Sequence, residues 1–371
     1  MNTWHFQEET ELSSPQLIVD RALLSKNIEH AIHIANGAEH LWPHVKTYKA
    51  GQIIRLMVSH GITRFKCATI SEAEMAASFG GKHILLAYPL VGPNISRFLQ
   101  LTLAFPDVTF YAIGDNLQQL KVLDSVAYDF NRSIPVLIDV NMGMNRTGVS
   151  LSTLRDFYED VSKLSSLSLC GLHCYDGHRT EMNFSQRREA AKPQFEQIME
   201  IRSLLNSNGH HCNILVMGGT PSFPCYASFH VPDLFFSPGT LFLNDYGYAS
   251  KYPDLTFDIA AAVMTRVISL PSPGCFTLDL GYKGIASDPE GIRGILSNFP
   301  HAHPLFQSEE HWVFSMDEGF EHSCPKIGDI LYIIPTHICP TSALYSHMNV
   351  IENGQLVAKW KIHARNRSLT Y

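Results

Sequence analysis

The chain is poor in charge and has no cluster of it. Only 17% of its 371 residues are Asp, Glu, Lys or Arg, and the formal net charge is −7. No block of Lys and Arg occurs, which argues against a track for nucleic acid or an anionic membrane surface. No run of ~18 apolar residues offers a membrane span. Met1–Pro15 is polar and acidic and lacks the apolar core of a secretory signal. The eight cysteines, scattered from Cys67 to Cys339, form no Cys-x-x-Cys pair. A disulfide framework is therefore not expected, and a reducing cytoplasm fits better. Repeats and low-complexity tracts are missing too. Small molecules are the expected partners.

What is present is a large apolar fraction, 45%, enough for two domains. From about residue 17 to 245, short apolar runs alternate with longer helix-like stretches. The runs begin at Gln16–Val19 and Leu41–Val45 and continue to Asn213–Met217 and Leu234–Phe236. Such alternation means βαβ units and a parallel sheet. The number of units predicts an α/β fold, a (β/α)8 TIM-type barrel over residues 16–250, with an open doubly wound sheet as the alternative. After residue 250, Gly- and Pro-punctuated runs such as Val263–Leu270, Trp312–Met316 and Ile330–Pro335 predict a mainly β domain over 251–371. Residues 1–15 are free to join it.

Leu41–Ala50 (Leu-Trp-Pro-His-Val-Lys-Thr-Tyr-Lys-Ala) carries two lysines near the end of an early run. Strand ends of this sense face the active site of a barrel, and His44 and Lys46 share a side. A lysine in such a partly dry mouth suits covalent attachment of a carbonyl compound. Two glycine turns follow late runs, Gly218-Gly219-Thr220 and Gly239-Thr240. Barrel phosphate sites commonly lie after the seventh and eighth strands. His337 and Cys339 stand two apart near the end of an extended segment, which predicts one strand face and a donor set suited to zinc.

Pro43–Thr47 (Pro-His-Val-Lys-Thr) resembles the lysine motif of the D-threonine aldolase and D-serine dehydratase family, whose barrel is similar to that of alanine racemase. The resemblance runs over nearly the whole chain: Asp139–Gly148, Gly218–Pro221, Pro238–Thr240, Asp279–Lys283, Glu309–His311 and Pro335–Thr341. The sequence departs at Trp42, where Arg is usual, and at Tyr48, where His is usual. The resemblance implies pyridoxal 5'-phosphate on Lys46 rather than Lys49. It places Arg146 near the cofactor's phenolate oxygen and Tyr175 against its ring, with Gly218, Gly219, Thr220, Gly239 and Thr240 at its phosphate. It implies a divalent metal on His337 and Cys339, zinc ahead of Mn2+ or Mg2+, with His178 and His311 at the substrate pocket. It also implies a homodimer. His-x-Cys is the dehydratase variant of the metal motif, so dehydration of a D-3-hydroxy amino acid to a keto acid and ammonia is expected first. Aldol cleavage is the alternative, and racemisation, with Tyr282 or Tyr345 as second base, the third reading.

Overall fold

The run Gln16–Val19, expected to open the barrel, does not lie in it. In the computed structural model, which describes residues 4–288 and 290–370, this run is β1 (Gln16–Asp20). It pairs parallel to His347–Glu352 and antiparallel to Ala261–Ser272. Leu17, Ile18 and Val19 are fully buried. A strand buried on both faces reads the same whichever sheet buries it, and its partners lie hundreds of residues away.

One compact unit comprises Glu29–Lys46 and Gly51–Gly239, with the chain from Asn366 onward. Its strands β2 (Arg64–Cys67), β3 (His83–Leu86), β4 (Thr109–Gly114), β5 (Ile134–Asp139), β6 (Leu167–Cys174), β7 (Ile214–Met217) and β8 (Leu234–Phe236) pair in parallel in chain order. The gap between β8 and β2 is bridged by residues 41–44. Trp42 N donates to Phe236 O (2.7 Å), His44 N to Pro238 O (2.8 Å), and Lys66 N to Pro43 O (2.8 Å). Pro43 has no N–H, so this ladder consists of isolated bridges rather than a regular strand.

Two of the helices between strands start where a side chain supplies a missing acceptor. Thr69 accepts from Glu72 N (3.2 Å) before Ile70–Ser78, and Asn183 from Ser185 N (2.9 Å) before Phe184–Ser207. Inside the sheet, Trp42, Leu85, Tyr111, Ile113, Leu137 and Val216 fill one layer. Trp42 meets Tyr111 and Phe235 edge-on, at 5.3 and 5.7 Å, and its Nε1 donates to Phe65 O (2.7 Å). Each such ring pair adds about 1 kcal/mol beyond burial. Trp42 is therefore a plug of the sheet's interior.

The other unit comprises residues up to Ile28, Thr47–Ala50 and Thr240–Arg365. It adds β9 (Ala261–Ser272), β10 (Cys275–Leu278), β11 (Gly294–Leu296), β12 (Ala302–Gln307), β13 (Trp312–Met316), β14 (Ile330–Pro335), β15 (His347–Glu352) and β16 (Gln355–Lys361). Their order is β12-β13-β10-β9-β1-β15-β16, with β14 pairing both β9 and β11. Trp4, Phe6, Ile18, Met264, Tyr332 and Ile351 share its core, so the residues before β1 belong to this unit. Among the described residues no helix is long and apolar enough to cross a membrane.

Candidate active site

Tyr175 is the hub of the parallel-sheet unit. It follows β6 at the C-terminal edge of the sheet. Three basic side chains lie over its ring: Arg146 Cζ at 4.8 Å, Lys66 Nζ at 5.2 Å and Lys46 Nζ at 5.9 Å from the centroid. The ring's negative face attracts each of them. Lys46 is half-buried in a short 3-10 turn, Val45–Thr47, where its backbone N donates to His44 Nδ1 (3.4 Å). Arg146 stands in the exposed loop after β5. The structure thus brings together three of the residues singled out from the sequence.

The fourth group was not foreseen. Lys66, on β2, is only 2% exposed. Its Nζ lies 3.4 Å from His173 Nε2, and His173 Nδ1 lies 2.7 Å from Asp139 Oδ1. Burial, then the nearby Lys66 charge, lower the His173 pKa. A neutral ring gives Nδ1–H to Asp139 and turns the Nε2 lone pair to Lys66. Burial works to raise the Asp139 pKa, but the bond from His173 outweighs it and the net shift is down. Lys66 is lowered to about 7, by burial first and then by the charge of Lys46. Sequence alternation could have flagged it: a lysine between Phe65 and Cys67, both fully buried, must be an edge residue or a paired interior one.

The glycine turns hold themselves. Gly218 N donates to Cys174 O (2.9 Å), Gly219 N to Ser222 Oγ (3.1 Å), and Gly239 N to Thr220 Oγ1 (3.2 Å). These amides, expected to receive a phosphate, already fix the turns. A different donor is left over, because Ser237 Oγ, just past β8, is buried and has no hydrogen-bond partner among the described residues. Gly219 is required by Tyr175: a Cβ there would stand 2.9 Å from the ring. Asp176, fully buried, braces the same turn by accepting from Ser222 Oγ (2.5 Å) and Tyr226 OH (2.7 Å). Burial raises its pKa. His178 is half-buried, and its Nδ1 has no partner among the described residues. An aromatic ring beneath basic side chains and an orphaned hydroxyl fit an aromatic phosphate with an aldehyde.

In the mainly β unit, His337 and Cys339 do not share a strand face. β14 ends at Pro335. His337 is the extended residue that caps the helix Ile338–Leu344, and Cys339 lies in its first turn. Pro340 fits that turn because its missing N–H would have no partner there. The two side chains still meet. His337 Nδ1 binds Asp288 Oδ2 (2.6 Å), and Cys339 Sγ contacts Thr47 Oγ1 (3.2 Å) and Thr240 Oγ1 (3.4 Å). Burial opposes charge on His337, but Cys339 and then Asp288 push it up to about 9. Burial likewise raises the Cys339 thiol, and the His337 bond outweighs it, so the net shift is down. Asp245, fully buried, accepts from Ile338 N (3.0 Å).

Imidazole with a thiol drawn towards thiolate is a donor set that suits zinc. Among the described residues no group of three or more His, Cys, Asp or Glu side chains is arranged to hold an ion. The pair would therefore leave most positions of a metal to other ligands. Thr240, expected beside the phosphate, turns its hydroxyl to Cys339. His311 sits exposed in the turn before β13. Two motifs meet there, since Tyr282 N and Lys283 N donate to Ser308 O (3.0 Å) and Glu309 O (3.1 Å).

A parallel sheet with a lysine, an arginine and a tyrosine grouped at its C-terminal edge, joined to a mainly β unit, defines the architecture of alanine racemase-like enzymes. The chain belongs to the family of the alanine racemase N-terminal domain, which it matches over residues 19–242; residues 260–351 match a serine dehydratase domain. It is 25% identical to a D-threonine aldolase of Arthrobacter sp, over 96% of this chain and 94% of that one. The crystal structure of D-threonine aldolase from Filomicrobium marinum superposes with a TM-score of 0.87 at 24% identity, covering 97% of each chain. That of D-threo-3-hydroxyaspartate dehydratase from Delftia sp. HT23 gives 0.82 at 18% identity, covering 95% of this chain and 98% of the other. The chain is an enzyme of the lyase type these relatives represent, and pyridoxal phosphate is the cofactor expected of the fold.

Proposed function

We propose that this enzyme holds pyridoxal 5'-phosphate on Lys46 and dehydrates a D-3-hydroxy amino acid, such as D-serine, D-threonine or threo-3-hydroxy-D-aspartate, to a 2-keto acid and ammonia. The observation that carries the choice of reaction is the contact of His337 with Cys339, with Asp288 on the other side of the imidazole. Two solved variants of a D-threo-3-hydroxyaspartate dehydratase replace a histidine and a cysteine two residues apart, and the cysteine variant is described as metal-free. The same spacing here supports a zinc ion on His337 and Cys339. Such an ion supplies a Lewis acid for a departing hydroxyl. Asp288 fixes the ring so that Nε2 remains for it.

When bound, pyridoxal phosphate supplies an electron sink for the substrate's α-carbon. Lys46 Nζ would hold it covalently and would serve as the general base towards the substrate's α-proton. Arg146, beside Tyr175, would offer its guanidinium to the ring's phenolate oxygen. Tyr175 orients the ring, and Thr220 with Ser237 offers hydroxyls to the phosphate, beside Gly218, Gly219 and Gly239. His178 lines the substrate side.

The test is product identification. Keto acid and ammonia should appear from at least one of these substrates with zinc-loaded protein and be suppressed by a chelator; none from any of them defeats the reading. Aldol cleavage is the second reading, supported by the likeness to the two D-threonine aldolases, and glycine with acetaldehyde from D-threonine would establish it. We also propose a homodimer in the cytoplasm, which sedimentation and cell fractionation check.

A further inference from the structure

Lys66 is a buried amine that the proposed chemistry does not use. Its surroundings come from three stretches of the parallel-sheet unit. Lys46 lies in the turn after residues 41–44, Asp139 and Arg146 on and after β5, and His173, Tyr175 and Asp176 on and after β6. Among the described residues, its Nζ has one hydrogen-bonding partner, His173 Nε2 at 3.4 Å. That nitrogen accepts, because Nδ1–H is committed to Asp139. An amine and an ammonium both donate, so the bond serves either protonation state. Charges of both signs surround Nζ: Lys46 and Arg146 repel its proton, and Asp139 and Asp176 attract it. Any ligand that changes the charge at Tyr175 must move that balance.

We propose that Lys66 is the proton-uptake group of the cofactor pocket: docking of the anionic pyridoxal 5'-phosphate offsets the Lys46 and Arg146 charges, and Lys66 Nζ takes a proton from solvent. This rests on the cofactor reading above and adds to it a positioning residue. No bond breaks and nothing is oxidised; one N–H bond forms, and the new ammonium remains on His173. Without the ligand Lys66 titrates near 7, so at about pH 8 it is mostly neutral and free to respond. Capture of the cofactor is then tighter towards neutral pH.

The experiment is titration calorimetry of the cofactor-free protein at about pH 8, in two buffers of different ionisation heat, which counts the protons taken up. The probes are pyridoxal 5'-phosphate and 4-deoxypyridoxine 5'-phosphate, which lacks the aldehyde and reports docking alone. Wild type should take up roughly half a proton to one proton more than Lys66→Met or Lys66→Arg with either probe. Its Kd should also weaken several-fold more than theirs as pH is raised by about one unit. Lys66→Arg stays charged and remains informative if Lys66→Met does not fold. Equal proton counts in wild type and variants overturn the inference. If the counts are equal while borohydride still labels the Lys46 peptide, the cofactor reading stands alone. If neither probe binds wild type, that reading fails and takes the inference with it.

Discussion

The two clusters resolve one conflict in opposite directions. In the parallel-sheet unit, burial wins: Lys66 loses affinity for its proton although Asp139 and Asp176 stand near it. In the mainly β unit, pairing wins: Cys339 and Asp288 hold the His337 proton against burial. The difference is one of contact. Lys66 reaches Asp139 only through a neutral imidazole, whereas His337 binds Asp288 directly at 2.6 Å. A charge one ring away does not repay desolvation; a charge in contact does. The first arrangement keeps an amine ready to change state. The second keeps a donor pair polarised for a cation.

The sharpest way to break this comparison is to remove the residue that gives the first cluster its chemistry. Lys46→Ala should cut turnover by ~10^3-fold or more, and borohydride should then label no peptide, whereas the His337–Cys339 cluster stays intact. A yellow, borohydride-reducible Lys46→Ala protein would show that another amine carries the cofactor. A stability measurement comes next. The unfolded chain keeps the Lys66 proton up to about 10.5 and the folded protein only to about 7. Between these values the unfolded state binds more protons, so stability rises with pH. Urea unfolding at both ends of that window should show wild type gaining a few kcal/mol relative to Lys66→Met. An equal pH dependence in the two proteins means that Lys66 is charged in the fold.

Cys339→Ala sharpens the contrast from the other side. It should lower metal-dependent turnover by ~10- to 100-fold and leave the cofactor's absorbance unchanged; loss of colour instead would tie Cys339 to cofactor binding. The smallest effect is expected from Gly219→Ala. Its methyl group would press on Tyr175 at 2.9 Å, and displacement of the ring should weaken cofactor affinity about tenfold, at a cost near 1.4 kcal/mol. Unchanged affinity would mean that the ring position is not needed.

The barrel's parallel strands were legible because each is a short run of buried apolar residues between amphipathic helices. Leu234–Phe236, Trp312–Met316 and Ile330–Pro335 fall where the pattern puts them. β1 was misplaced because the same pattern fits either sheet. β11, β12 and β15 passed unnoticed; β12 is mostly exposed and contains Pro304, so it carries no apolar alternation. His337 and Cys339 were expected on one strand face, although Pro340 marks the first turn of a helix.

The sequence by itself determined the succession of a parallel α/β part and a mainly β part, the lysine near the end of an early run, the glycine turns and the His-x-Cys pair, because all of these are local patterns of a few adjacent residues. Only the tertiary structure decided that Arg146, Lys46 and Lys66 share the ring of Tyr175, that His173 links Lys66 to Asp139, and that the glycine amides are already occupied while Ser237 is not. Those facts depend on which strand lies beside which, and on how much water is excluded there. Neither quantity is a property of any short stretch of chain.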